Sequence, residues 1–287
     1  MSGFRPNQPQ PFLEVRAERL DVTPPLTAWC AGYELGEWRS CGLAKHLLHW
    51  LPEFALKYSE WAGLHSGNLV ELLSKAVASI YKSEKYAKRG EFGEILLHVM
   101  IRQRFNSTPA ISKYFYKDSS NDTVKGFDAV HVVGEPGEWE LWLGEVKFYS
   151  DIHKAVADVI EELKGHMQRD YLRSEFTAIT NKLDNSWGEA AKLRELLHQN
   201  TSLDKIFEKV CIPVLLTYDS HAIGAHTSVC EEYQRAFEKE VFNYHDLFAS
   251  KQLPTNVLVR LFLLPLKEKA ALAKQMDEEL KRWQSAF

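Results

Sequence analysis

Glu145 and Lys147 stand two residues apart in the run LWLGEVKFY, and Asp128 precedes them in KGFDAVHV. Side chains alternate between the two faces of a strand, so Glu145 and Lys147 project to the same side as Trp139, Leu141 and Leu143. Two charges therefore continue an apolar face. Ions withdrawn from water cost several kcal/mol each unless they are paired, hydrogen-bonded or neutralised by a metal, so this placement calls for chemistry. Glu162 with Lys164 and Glu279 with Lys281 repeat the Glu-x-Lys spacing, but they fall in charged helical sequence. Residues two apart do not share a helix face, and these copies read as solvated side chains.

The segments Phe127 to Val133 and Trp139 to Phe148 read as two strands of a hairpin, joined by the turn-rich Gly134-Glu135-Pro136-Gly137. Pairing Val133 with Glu138 sets Val132 opposite Trp139, Val130 opposite Leu141 and Asp128 opposite Leu143. Asp128 then shares the face of Glu145 as a diagonal neighbour, with Cα atoms on the order of 7 Å apart. A slip of one residue would carry it to the other face. The oxygens of two such carboxylates suit a hard divalent cation, Mg²⁺ or Mn²⁺, which keeps positions for water and a phosphate oxygen. The cation would activate that water, and Lys147 would orient it or stabilise the charge developing on phosphorus. Without it the carboxylates repel and one tends to take up a proton. The pattern predicts metal-dependent phosphodiester hydrolysis.

A helix from about Arg89 to Phe105 precedes these strands and carries Glu94 beside a polar stripe of Glu91, His98 and Arg102. Glu94 is expected to reach the metal directly or through water; the competing expectation pairs it with Arg102 or His98. Lys82, Lys85, Lys88, Arg89, Arg102 and Arg104 are candidate phosphate contacts or simply a solvated helix surface. The histidines show no zinc-ligand spacing.

The surrounding order of elements must position this set. Asn68 with Glu71 predicts a capped helix up to Ile80, and a strand is expected at Lys113 to Lys117, before the hairpin. After the hairpin, Asp151 can cap a helix whose apolar residues Ile152, Ala155, Val156, Val159, Ile160 and Leu163 share one face. Strands follow at Val210 to Tyr218 and Val257 to Leu264, with helices near 231–250 and from about Lys267. This is an α/β chain with a mixed sheet flanked by helices. Residues 1–65, with proline punctuation, a possible strand at Phe12 to Ala17 and a helical patch that Pro52 interrupts, are expected to form an N-terminal extension suited to partner docking, and residues 66–287 the catalytic domain.

The 287 residues are 45% apolar, enough for a substantial core, and 35 basic against 39 acidic residues leave a net charge of −4. The overall field does not attract a polyanion, so affinity for nucleic acid must come from a local site or a partner. Four widely spaced cysteines without a CxxC pair, an opening without an apolar signal region and apolar runs too short to span a bilayer lead to the expectation of a reduced cytoplasmic protein.

Asp followed by Glu-x-Lys on the next strand, in the order helix, three strands, helix and strand, resembles the PD-(D/E)xK restriction-endonuclease-like superfamily. More narrowly, GEFGEILLHVMI, KGFDAVHV and LWLGEVKFY look like the HamA effectors of Hachiman antiphage defence. The motif-bearing likeness covers about residues 88 to 172, and Phe127 stands where many superfamily members have proline. The resemblance implies a restriction-endonuclease-like core, metal binding by Glu94, Asp128 and Glu145, and Lys147 as catalytic lysine. It also implies a DNA substrate, a HamB-type superfamily 2 helicase as restraining partner, and a polar substrate contact after Lys147 for which His166 and Gln168 are candidates. The competing functional class is a non-catalytic adaptor that keeps the nuclease fold to dock on a helicase or DNA. A site-specific restriction enzyme would need a base-reading element, and no segment identifies itself as one.

Overall fold

The structure is a computed structural model, and it describes residues 8–80, 90–105, 107–112, 126–135 and 138–286. Along the described chain run strands β1 (Glu14–Arg19), β2 (Leu26–Cys30), β3 (Tyr33–Glu34) and β4 (Glu37–Trp38), followed by helices α1 (Ser40–Leu48), α2 (Leu51–Ala55), α3 (Tyr58–Trp61), α4 (Leu69–Ile80) and α5 (Glu91–Arg104). Strands β5 (Ser107–Pro109), β6 (Ala129–Glu135) and β7 (Glu138–Lys147) come next. Helices α6 (Ile152–His166), α7 (Arg169–Lys182), α8 (Ala190–Leu196) and α9 (Leu203–Phe207) lead to β8 (Val210–Asp219). The chain ends with α10 (His221–Gly224), α11 (Glu231–Ala249), β9 (Leu258–Leu266) and α12 (Lys269–Ala286). The expected strand at Lys113 to Lys117 lies outside the described residues; the described strand between α5 and β6 is β5.

Seven strands form one mixed sheet in the order β1-β2-β9-β8-β7-β6-β5. Its centre is parallel, β7 beside β8, β8 beside β9 and β9 beside β2, while β1 and the β5–β6 pair run antiparallel at the two edges. Central strands covered on both faces are apolar without alternation, as in VCIPVLLTYD of β8, where only Asp219 is exposed. The same cause hid β2 from the periodicity: all five residues of LTAWC are buried. Strands β1 and β2 extend the sheet through β9, and the N-terminal segment contributes side chains to the same core as residues 66–287.

Local chemistry explains the elements around the site. Asp151 caps α6 by accepting the Lys154 backbone N–H at 3.1 Å, and the six apolar residues expected on one face are its buried ones. Asn68 precedes α4 but does not form the expected box; its Oδ1 accepts the His65 N–H and its Nδ2 donates to the Gly63 carbonyl, fastening the preceding turn.

The hairpin register differs from the expected one by two residues. Val133 pairs with Glu140, Val132 with Leu141, Val130 with Leu143, and the closing pair is Glu135 with Glu138. Gly134, which reads as loop, belongs to the strand opposite Trp139; at φ +116 it passes where a Cβ would stand 2.6 Å from the Glu138 carbonyl oxygen. A shift of two preserves side-chain parity within the two strands; Asp128 stands in a bend just before β6, where it and Ala129 both oppose Gly144, so its position beside Glu145 is set by its hydrogen bonds and not by the ladder.

Candidate active site

Asp128 stands one residue before β6, where the ladder with β7 ends. Its N–H donates to the Gly144 carbonyl at 2.7 Å, and its Oδ2 accepts the Val146 N–H at 2.9 Å. The carboxylate therefore takes up a backbone donor that the shortened ladder leaves over, and two bonds to the residues flanking Glu145 hold it beside that side chain. Glu145 and Lys147 lie within β7 with relative exposures of 1% and 7%. Both ends of the Glu-x-Lys pair are thus withdrawn from water, as the strand parity implies.

Helix α6 covers this face and supplies both with counter-charges. Glu162 forms an ion pair with Lys147, and one turn later His166 Nδ1 lies 2.6 Å from Glu145 Oε1. His166 is stacked on Tyr171 of α7, ring centroids 4.4 Å apart at 10°, and meets the Phe127 ring edge-on at 5.0 Å. Glu162 is exposed, as its surroundings suggested, and from there it also pairs with Lys147, whereas Lys164 pairs with Glu161 on the surface. Gln168, the other candidate contact, bonds back to the Lys164 carbonyl at an exposed position.

Electrostatics follow from this crowding. Burial pushes the Glu145 carboxyl from 4.5 to about 7, the charge of Asp128 adds to the rise, and the close contact with His166 opposes it. Burial works against a charge on His166, but Glu145, with Glu162 and Glu175 around it, raises its pKa above 6.5. Two adjoining carboxylates, one of them reluctant to ionise alone, form a hard-oxygen donor set that a divalent cation would relieve, so the chemistry of the residues fits the metal the motif implies. Among the described residues, no three His, Cys, Asp or Glu side chains already converge as a cage.

Glu94 enters from the opposite face of β7. Helix α5 packs there so closely that a Cβ on Gly93 would stand 2.9 Å from Val146 Cγ2 and Phe148 Cβ, and one on Gly144 would stand 2.7 Å from Leu97 Cδ2. From these contacts α5 runs antiparallel to β7 and hence along β6. His98 touches His131, with Nδ1 to Nε2 at 3.2 Å, so one helical turn back, about 5.4 Å, Glu94 comes level with Ala129, the neighbour of Asp128. It is buried. The partners expected for it are engaged elsewhere: Arg102 donates to both oxygens of Glu53, and His98 Nε2 lies 3.2 Å from Glu53 Oε1. Glu53, from α2, gave no signal in the sequence, because its contact with α5 is purely tertiary. Arg102 is thereby a buried structural cation, Arg104 pairs with Glu18, and Lys82, Lys85, Lys88 and Arg89 lie outside the described residues.

A family model described as HamA matches residues 11–280, and the chain belongs to that family. The match extends the likeness from the motif region to nearly the whole chain and supports a Hachiman-associated protein. No curated protein matches the chain. Among the described residues no helix is long and apolar enough to cross a membrane.

Proposed function

We propose that this member of the HamA family is a metal-dependent DNA nuclease: the cytoplasmic effector of a bacterial antiphage defence system, hydrolysing phosphodiester bonds under the control of a HamB-type superfamily 2 helicase. The observation that carries this reading is the burial of Glu145 and Lys147 on one face of β7 with Asp128 fastened beside them. An adaptor has no use for a buried carboxylate set against a second one, an arrangement whose desolvation and repulsion lower stability.

Asp128 and Glu145 would hold Mg²⁺ or Mn²⁺, with Glu94 approaching from α5. The bound cation supplies an activated water and offsets negative charge at phosphorus. Asp128 is oriented by two backbone bonds, so it meets a ligand without first searching rotamers. Lys147, two residues from Glu145 on the same face, offers its ammonium to a phosphate oxygen once Glu162 releases it. The net charge of −4 provides no broad attraction for DNA, which accords with a helicase partner delivering the substrate.

The test is degradation of DNA by purified protein, alone and with its helicase, in Mg²⁺ or EDTA, comparing wild type with Glu145→Ala and Lys147→Ala. Metal-dependent cleavage that both substitutions abolish is the expected result. Folded protein that cleaves nothing under any condition would shift the assignment to a docking adaptor.

A further inference from the structure

We infer that the Glu162–His166 turn of α6 is an internal stand-in for metal and phosphate, which occupies Glu145 and Lys147 at rest and must be displaced before a cation binds. This rests on the reading of Asp128 and Glu145 as metal ligands.

Two residues along a strand cover about 6.6 Å, and four residues along a helix about 6 Å. Positions 145 and 147 on β7 are therefore matched by positions 166 and 162 on α6, with opposite charge character at each: imidazole on carboxylate and carboxylate on ammonium. A helix that merely roofed the sheet would place apolar side chains there, as α6 does at Val159 and Leu163. His166 is also held in place, stacked on Tyr171 and edged by Phe127.

The contact is competitive with metal. The Glu145 oxygen that faces His166 at 2.6 Å is a fully buried atom, and an imidazole that close fills the space a cation would need on that side of the oxygen. Glu162 is different in kind: its side chain is 44% exposed and can turn to water when a phosphate takes Lys147. His166 closes α6 and Gln168 already precedes the first turn of α7, so its release requires a change at a helix junction and leaves the buried stripe of α6 in place. A partner that grips α6 or α7 would thereby control the site without touching it.

The test is direct binding of Mn²⁺ to the full chain, followed by electron paramagnetic resonance and calorimetry, without DNA. His166→Ala is expected to tighten Mn²⁺ binding by about tenfold, on the order of one close charge contact removed from competition. His166→Gln, which retains polarity and folds if alanine does not, should tighten it less. Glu145→Gln should abolish the binding. Unchanged or weaker Mn²⁺ binding in both His166 variants, with wild-type binding that depends on Glu145, would overturn the stand-in while leaving the metal site intact. Mn²⁺ binding absent from every protein, or indifferent to Glu145→Gln, would overturn the metal reading and this inference together.

Discussion

Replacing Glu145 by glutamine separates the cost of the site from its use. The amide matches the carboxyl in shape, so it mimics the protonated form at every pH. In the wild type the folded pKa is raised from 4.5 to about 7 by burial and by Asp128. A carboxyl raised on folding contributes stability that is fully present below 4.5 and lost as pH rises through 7, because the unfolded chain ionises first. The rise from 4.5 to about 7 corresponds to about 3 kcal/mol. The contact with His166 offsets part of that penalty and is weakened in the variant. Glu145→Gln should therefore be no more stable than wild type at pH 4.5 and about 1–3 kcal/mol more stable at pH 8 in EDTA.

For a chain of this length that gain is a rise in Tm of roughly 2–8 °C, readable by calorimetry or by urea midpoints at several pH values. Saturating Mn²⁺ should reverse the order, since ligand bound only by the folded wild type adds to its stability. A Glu145→Gln protein that loses stability at pH 8 in EDTA, or whose difference from wild type is the same at pH 4.5 and pH 8, would refute the account of Glu145 as a penalised buried anion.

Two predictions concern the scaffold. Gly93→Ala gains about 1 kcal/mol of helix propensity, but its Cβ would meet Phe148 Cβ and Val146 Cγ2 at 2.9 Å; overpacking of about 1–3 kcal/mol should win, lowering the urea midpoint, and an increase would refute the tight approach of α5 to β7. Acid should destabilise the fold through its buried imidazoles: burial pushes His46 down to about 4 and lowers His98 and His131, whose surroundings add the charge of Arg102. Depressed imidazoles contribute stability that is present above 6.5 and lost as pH falls below it, by at most about 1.4 kcal/mol per pH unit for each. Glu145→Gln removes the opposing slope, so urea midpoints of that variant between pH 7.5 and 5 check the effect; a flat profile would contradict it.

What the sequence shows about this site is what period and parity determine. The buried face of α6 and its Asp151 cap were legible because every contact that creates them lies within one helix turn of the next. The shared face of Glu145 and Lys147 was legible for a different reason, since alternation within one strand needs no register, and the nearness of Asp128 to Glu145 survived because the register error was only two residues. Gly134 caused it, since the same missing side chain that permits a turn also permits a strand to pass close to the Glu138 carbonyl. Strand β2 carried no alternation to read, because both of its faces are covered.

The partners of the site were not legible, because pairing across elements has no period. Glu53 takes His98 and Arg102 from α2, and Glu162 takes Lys147 from a surface that composition alone marks as solvated. One signal was nevertheless present. An acid and a histidine four apart on α6, facing a strand that carries an acid and a lysine two apart, match in length and are reversed in charge. A coincidence of that kind tests more than a motif does, since it requires the strand, the helix and their relative direction to be right together. The same reasoning places Glu94 beside Ala129, through the contact of His98 with His131 one turn further on. Glu145 and Lys147 thus occupy one face, Glu94 comes from the other, and Asp128 stands in the bend where β6 begins, so a ligand set that includes all three carboxylates can meet only at that end of the sheet, next to Asp128.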